Sequence, residues 1–192
     1  VSNLLQKSIR GEIRTDLTSR ILYSTDASIY QIEPLGVVFP KDEQDLLATV
    51  EICAQTGSPV LARGSGSSLA RQAIGAARIV DCSRHLDRIL LIDPEEQIAI
   101  VQPGVILNTL NKQAAQFGLM FGPDPASAER ASLGGSIANN ATGAHSIRYG
   151  MAADHLLEVN VALADGSQAN FKEISLDQAR LIASHRQGLE AE

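Results

Sequence analysis

Clustered positive charge is missing from this sequence. Its 22 acidic residues outnumber its 16 basic ones, leaving a formal net charge of −6. Neutralising a phosphate backbone takes grouped Lys and Arg, so a nucleic-acid surface is excluded. The same deficit bears on any anionic small molecule, which would have to be held by local main-chain N–H groups and not by a global positive field. Cysteine is scarce. Cys53 and Cys82 form no CxxC pair and no metal-ligand spacing. They read as a helix-face thiol and a loop thiol, and two scattered cysteines fit a reducing compartment. No apolar run approaches the roughly 20 residues of a membrane span, and no signal peptide is seen. There is no internal repeat. No initiator Met precedes Val1, which suggests a segment excised from a longer protein.

What is present is ordinary for a globular chain. With 44% hydrophobic and 20% charged residues, 192 residues suffice for one α/β domain or two small lobes sharing a core. Leu4, Leu5, Ile9 and Ile13 have helical spacing, which predicts a helix over 4–13. Val37-Val38-Phe39, closed by Pro40, reads as a strand. Asp42 is placed to cap a helix, with Asp45 as its capping-box partner and Gly57 as the C′ residue. Pro59 to Ala62 reads as the next strand. Strand, helix, strand at this spacing is a βαβ unit, which predicts a parallel pair. Ile79-Val80 is another short strand. Two hairpins are expected, Ile89–Ile92 with Ile98–Val101 around Asp93-Pro94-Glu95-Glu96, and Val159–Ala164 with Gln168–Phe171 around Asp165-Gly166. Ile106 to Phe117 reads as a helix stopped by Gly118, with Leu107, Leu110, Ala114 and Phe117 on one face. Ser175 to Glu192 reads as the start of a helix directed at a part not included in this segment.

Two glycine-rich stretches stand out. The first, Arg63-Gly64-Ser65-Gly66-Ser67-Ser68-Leu69, follows a strand directly. Its glycines let successive N–H groups point one way, forming an anion nest, and Ser67 and Ser68 add hydroxyls. A pyrophosphate suits such a loop without a lysine. Read alone, it is also compatible with a plain Gly-Ser turn. A dinucleotide-binding Rossmann fingerprint is a rival, with Asp81 as its ribose-binding acid. Leu69 stands where the third glycine would be, and the interval from Gly64 to Asp81 is short for a crossover helix plus strand. No Gly-Lys-Ser/Thr follows, so a P-loop is ruled out.

The second stretch lies within Gly122–Gly150, which has little periodicity and is dense in Gly, Ala, Ser and Asn. It includes Pro123-Asp124-Pro125-Ala126-Ser127 and Ser132-Leu133-Gly134-Gly135-Ser136-Ile137-Ala138-Asn139-Asn140-Ala141-Thr142-Gly143. Its small side chains allow close approach to a flat ligand, and Asn139 and Asn140 offer amides to a heteroaromatic edge. A flexible linker would carry more charge and less Leu and Ile. An ordered, functional segment is therefore expected.

The ordered motifs PVLARGSGSSLARQA, VQPGVILNTLN, GLMFGPDPAS, SLGGSIANNATGAHSIRYG and DHLLEVNVALADGS resemble the FAD-binding domain of the vanillyl-alcohol oxidase / p-cresol methylhydroxylase type. Within that family the chain is similar to bacterial FAD-linked oxidases of the D-lactate dehydrogenase and glycolate oxidase group. NNATGAHSIRYG resembles those fused to an iron–sulfur region. The resemblance covers about residues 20–172. It implies an α+β (α/β) fold of two subdomains, an N-terminal βαβ lobe and a larger mixed-sheet lobe, with FAD extended between them. The implied organisation is a lead-in segment over 1–33, the FAD-binding domain over 34–172 (lobes about 34–93 and 94–172), and over 173–192 the beginning of a following region.

By the same resemblance, Arg63 and the backbone of Gly64, Ser65, Gly66, Ser67, Ser68 and Leu69 hold the pyrophosphate. Pro123, Asp124 and Ser127 lie along the FAD. Ser132, Leu133, Gly134 and Gly135 line the pyrophosphate and flavin edge, Asn140, Ala141 and Gly143 approach the flavin end, and Val159 touches the cofactor through its backbone. The family pattern has glycine at Arg71; a side chain there either crowds the cofactor or reaches its pyrophosphate as a bidentate donor. His145 either links FAD covalently or hydrogen-bonds. The first loop has no His, and FAD is expected to be non-covalent. Arg148 and Tyr149 either border the flavin or pin their loop. Tyr23, Asp26 and Tyr30 read as packing residues, and His85, His155 and His185 as structural or exposed.

No catalytic base and no carboxylate-gripping cation is found in the chain. The implied function is oxidation of a D-2-hydroxy acid such as lactate or glycolate, with substrate bound through a C-terminal cap domain outside this segment. An iron–sulfur domain or subunit is the further partner implied, and the setting is cytoplasmic or peripheral to the inner membrane. The alternative is a non-catalytic flavin-binding or electron-relay module of a larger complex.

Overall fold

The computed structural model of the chain describes residues 1–185. Its first layer is a four-stranded sheet built from β1 (Glu12–Arg14), β2 (Gly36–Phe39), β3 (Val60–Arg63) and β4 (Arg78–Asp81), in the order β1-β2-β4-β3. β4 is parallel to both neighbours, and β1 runs antiparallel to β2. The parallel pair expected between β2 and β3 is therefore corrected: β4 lies between them. β2 and β4 are buried along their whole length, which is why they read as unbroken apolar runs rather than as alternation.

Helices α1 (Ser2–Ser8) and α3 (Glu43–Gln55) cover one face, where Leu5, Ile9 and Val38 close on Ala48 and Ile52, and the short α2 (Leu17–Leu22) contacts β2. Val37, Phe39 and Ile79 point to the other face, against Tyr23 and Leu61. The helix expected over 4–13 ends at Ser8, and Ile13 is instead a strand residue paired with Val38. The apolar spacing misled because Leu5, Ile9 and Ile13 reach the same core from a helix, a link and a strand.

Asp42 caps α3 as expected, accepting from Asp45 N at 3.1 Å. The capping box does not form. The Asp45 carboxylate accepts from Arg10 N at 2.9 Å and Lys41 N at 3.0 Å, tying the lead-in segment to the helix start. Gly57 does end α3. At φ 63° it lets Ser58 N reach Cys53 O (2.9 Å) and Gly57 N reach Ala54 O (3.2 Å), a Schellman closure. Cys53 and Cys82 are both free and buried; burial and then the charge of Asp81 push the Cys82 thiol up to about 12.

The second lobe holds the hairpins β5 (Ile89–Asp93) with β6 (Ile98–Val101), and β7 (Glu158–Ala162) with β8 (Gln168–Lys172). Among the described residues these remain separate two-stranded sheets. Between them come α4 (Leu107–Ala114), α5 (Leu133–Ala138) and α6 (Ser146–Tyr149). The core of this lobe is Val105, Leu107, Leu110 and Leu133, ringed by Ile89, Ile92, Val101 and Phe121. Phe117 leaves the apolar face assigned to it and is 51% exposed, because the chain tightens into a 3-10 turn over Ala115–Phe117. The α+β class is as expected. Helix α7 (Leu176–His185) begins the tail, and the rest of the helix expected there, 186–192, lies outside the described residues. No helix among the described residues is long and apolar enough to cross a membrane.

Candidate cofactor cleft

A cleft of about 410 Å³ opens where the loop leaving β3 meets the segment around α5. Every residue of the first glycine-rich stretch lines it, from Arg63 through Gly64, Ser65, Gly66, Ser67 and Ser68 to Leu69. From the second stretch, Ser127, Ser132, Gly135 and Ala141 form the facing wall. The two stretches touch: a methyl group on Gly64 would run into the Ser132 hydroxyl. Ser132 is itself fixed as the N-cap of α5, where its hydroxyl accepts from Gly135 N at 3.3 Å.

The wall is rich in uncommitted donors. Among the described residues, no main-chain N–H of 64–69 donates to a partner within the protein, although the Gly66 carbonyl accepts from Ala27 N at 3.1 Å. Gly66 takes φ 71°, the left-handed conformation that turns these amides. Across the cleft the Ser136 hydroxyl is buried with no hydrogen-bond partner. A buried hydroxyl left unpaired is unfavourable, so an acceptor arriving from the cleft would satisfy it.

Seven expected residues do not line the cleft. Pro123 is fully buried, and Leu133 is 3% exposed within the second core. Gly134 backs onto Pro103, whose Cβ lies 2.7 Å from where a Gly134 Cβ would stand. Asn140, at φ 46°, turns its side-chain oxygen to Ala153 N at 2.9 Å. Gly143 sits against the main chain of Asp124, and Val159 is paired with Phe171 in the β7–β8 hairpin. The Asp124 carboxylate accepts from His145 N at 3.0 Å and also engages the His145 ring Nδ1. That backbone bond first, and then the ring, hold its pKa below the usual carboxylate range.

Among the lining residues that sequence reasoning left out, Ser136 is the most telling. It lies four residues after Ser132, a spacing that places both on one helical face, but the surrounding stretch has too little apolar periodicity to mark a helix. Ala138 and Gln72 also line the cleft, as does Asn139, one of the two amides expected to meet a ligand. His155 is a pin, with Nε2 bonded to Tyr149 O at 2.7 Å.

The Rossmann rival fails on Asp81. Asp81 is buried, and its carboxylate already accepts from the Tyr23 hydroxyl at 2.5 Å, from Ser83 N at 2.7 Å and from the Ser83 hydroxyl at 2.6 Å, so it is a structural acceptor and does not line the cleft. Burial first, and then this bond, raise the Tyr23 pKa above its ordinary value.

Arg71 does not line the cleft. It takes φ 65° and its guanidinium lies 5.6 Å from the centre of the Tyr30 ring. A non-glycine residue in this conformation costs about 1–2 kcal/mol. Glycine gives back about 0.5–1 kcal/mol through unfolded-state entropy, and an exposed cation–π contact is worth about 0.5–1 kcal/mol. Arg71→Gly is thus expected to shift Tm by no more than about 3 °C and to leave the cleft unchanged. Calorimetry checks this; a loss of several degrees would mean that the Tyr30 stack outweighs the strain.

Comparison with known proteins bears on the same region. A family model described as FAD binding domain matches residues 34–172. The chain is 36% identical over 185 residues to D-2-hydroxyglutarate dehydrogenase of Escherichia coli (strain K12), covering 95% of this chain and 18% of that protein. It is 34% identical over 149 residues to glycolate oxidase subunit GlcD of Bacillus subtilis (strain 168), covering 77% of this chain and 32% of that protein. The fold matches xylooligosaccharide oxidase from Myceliophthora thermophila C1 with a TM-score of 0.78 at 21% identity, over 93% of this chain and 38% of that one. The chain thus spans a third or less of the curated relatives described.

Proposed function

We propose, on the premise that the chain belongs to the FAD binding domain family, that its cleft holds the pyrophosphate of FAD and that the whole protein oxidises a 2-hydroxy acid. The observation that carries this reading is the meeting of the two glycine-rich stretches, Gly64 against Ser132, around a single cleft with unpaired amides on one wall. When bound, FAD supplies a hydride acceptor for the carbon bearing the substrate hydroxyl.

The chain's own residues do the holding. The unpartnered amides of 64–69 would hold the pyrophosphate, and with a net charge of −6 the protein would rely on these local dipoles rather than on its overall field. Arg63 adds one positive charge at the foot of the loop. Ser132 and Ser136 offer hydroxyls from the opposite wall. Asp124, Asn140 and Gly143 would serve indirectly, by bracing the segment that carries Asn139 and Ala141, while Val159 is held in the β7–β8 hairpin and would approach the cofactor only through its backbone. Pro123, Leu133 and Gly134 would serve by seating it on the core.

The relatives support the substrate class, one being named for D-2-hydroxyglutarate and another for glycolate. The domain would run over 34–172, with 1–33 leading in and 173–192 opening a following region. The proton acceptor and the group that grips the substrate carboxylate would come from a cap domain beyond this chain, with an iron–sulfur partner receiving electrons. A cytoplasmic site, or one peripheral to the inner membrane, fits two unpaired thiols.

The test is direct. Protein mixed with FAD and passed through a desalting column is expected to keep the flavin absorbance bands, and equimolar NAD should not displace them. Release of all flavin on the column at neutral pH, or equal retention of NAD, would overturn the reading. Turnover of D-lactate, glycolate or D-2-hydroxyglutarate by this chain alone is expected to be negligible.

A further inference from the structure

Six consecutive amides without internal partners make a loop that ought to be floppy, so something else must hold 64–69 in shape. The Ser68 hydroxyl engages Gln72 at the loop's far end, and the other contacts that do so come from Arg63 and from residues 23–27, which lie ahead of the segment matched by the family model. The Arg63 guanidinium sits 5.0 Å from the centre of the Tyr23 ring. Its Nη1 donates to Ala73 O at 3.1 Å and, more weakly, to Tyr23 O at 3.4 Å, so it bridges both ends of the loop to the segment beneath. The turn at Gly66 rests on the same guanidinium, since a methyl group there would strike it.

Two further contacts run in parallel. Ala27 N donates to Gly66 O at 3.1 Å. The Asp26 carboxylate accepts from Ala73 N at 3.3 Å and from Ser28 N at 2.9 Å. Tyr23 anchors this segment to the sheet through Asp81, at the end of β4. None of Tyr23, Asp26 and Ala27 lines the cleft.

We propose that Tyr23, Asp26 and Ala27 form a strap which, through Arg63, fixes the first glycine-rich loop in its anion-receiving shape before the cofactor arrives. These are positioning residues. A loop ordered in advance does not lose conformational entropy on binding, so the strap raises FAD affinity without touching FAD. The inference rests on the reading of the cleft as an FAD site.

The experiment measures amide hydrogen exchange over 64–73 in FAD-free protein, together with FAD titration, for the parent, Asp26→Ala and Asp26→Asn. Asp26→Ala is expected to speed exchange in the loop about tenfold or more while β2 and β4 exchange as before, and to weaken FAD binding about tenfold. Asp26→Asn keeps one oxygen, which can accept from Ala73 N–H only with its NH2 turned toward Ser28 N–H, so it should restore part of both. If Asp26→Ala does not fold, Arg63→Lys supplies the same exchange readout, because an ammonium cannot reproduce the guanidinium's bridging geometry. Unchanged loop exchange would overturn the strap, as would a loosened loop with unaltered FAD affinity. A parent protein that binds no FAD would instead overturn the reading on which the strap rests.

Discussion

Alanine at position 64 is expected to cost the protein its FAD before it costs the protein its fold. The new methyl group would run into the Ser132 hydroxyl and stand 3.0 Å from the Ser132 Cβ. Ser132 has little room to yield, being 3% exposed and bonded to Gly135 N. Overpacking of this kind costs about 1–3 kcal/mol. Relief comes from separating the two walls of the cleft, which strains the cofactor site and not the cores behind it. The FAD dissociation constant is therefore expected to rise by about tenfold to a hundredfold, with a Tm loss of only a few degrees. Ser132→Gly in the same protein removes the obstructing atoms and costs only a few tenths of a kcal/mol as a helix cap, but it also gives up one hydroxyl of the cleft wall, so the double variant should regain part of the affinity and not all of it. Gly57→Ala is the control. Position 57 has nothing within 4 Å of an added Cβ but holds φ 63°, so about 1 kcal/mol of stability should go with FAD binding intact. Fluorescence titration of the four proteins decides the matter. Equal affinity in Gly64→Ala and the parent would mean that the two stretches do not meet in solution.

The ease with which the fold was read varies with how local its causes are. The Asp42 cap, the Gly57 closure, the Gly118 stop and the Asp165-Gly166 turn depend on neighbouring residues, and each stands where the sequence placed it. Strand order was not legible in the same way. That β4 separates β2 from β3 depends on which buried strand each edge prefers, a non-local choice that the lengths of the connections do not encode. The cleft divides along the same line. The first loop could be read because its glycine and serine spacing is a local mark, whereas the residues 23–27 that contact it are distant in sequence and leave no such mark. In the second stretch the reading did not distinguish small residues that face the cleft, such as Gly135, from those that back onto protein, such as Gly134 and Gly143. Both kinds are small because something approaches closely, and the sequence does not say what. The hidden helix α5 explains most of the difference: its 3.6-residue turn sends Ser132 and Ser136 one way and Leu133 the other.

Leu133 turns that division into a measurable one. Its side chain is 3% exposed and closes the second core with Val105, Leu107 and Leu110. Its helix neighbours Ser132, Gly135 and Ser136 face the cleft. Leu133→Ala removes core atoms and is expected to lower stability by about 2–5 kcal/mol, a Tm loss of about 5–20 °C for a chain of this size. Leu110→Ala empties the same cluster from α4, none of whose residues reaches the cleft, and should lose a comparable amount. The two variants are expected to part company over FAD. At a temperature where both remain folded, Leu110→Ala should bind FAD nearly as the parent does. Leu133→Ala should bind it about tenfold more weakly, because a six-residue helix that has lost its one deep anchor no longer holds both serines in place. Denaturant melts give the stability and titration gives the affinity. If the two variants lose FAD affinity equally, α5 is not what transmits packing to the cleft. If Leu133→Ala keeps both stability and affinity, the leucine is not a core residue at all.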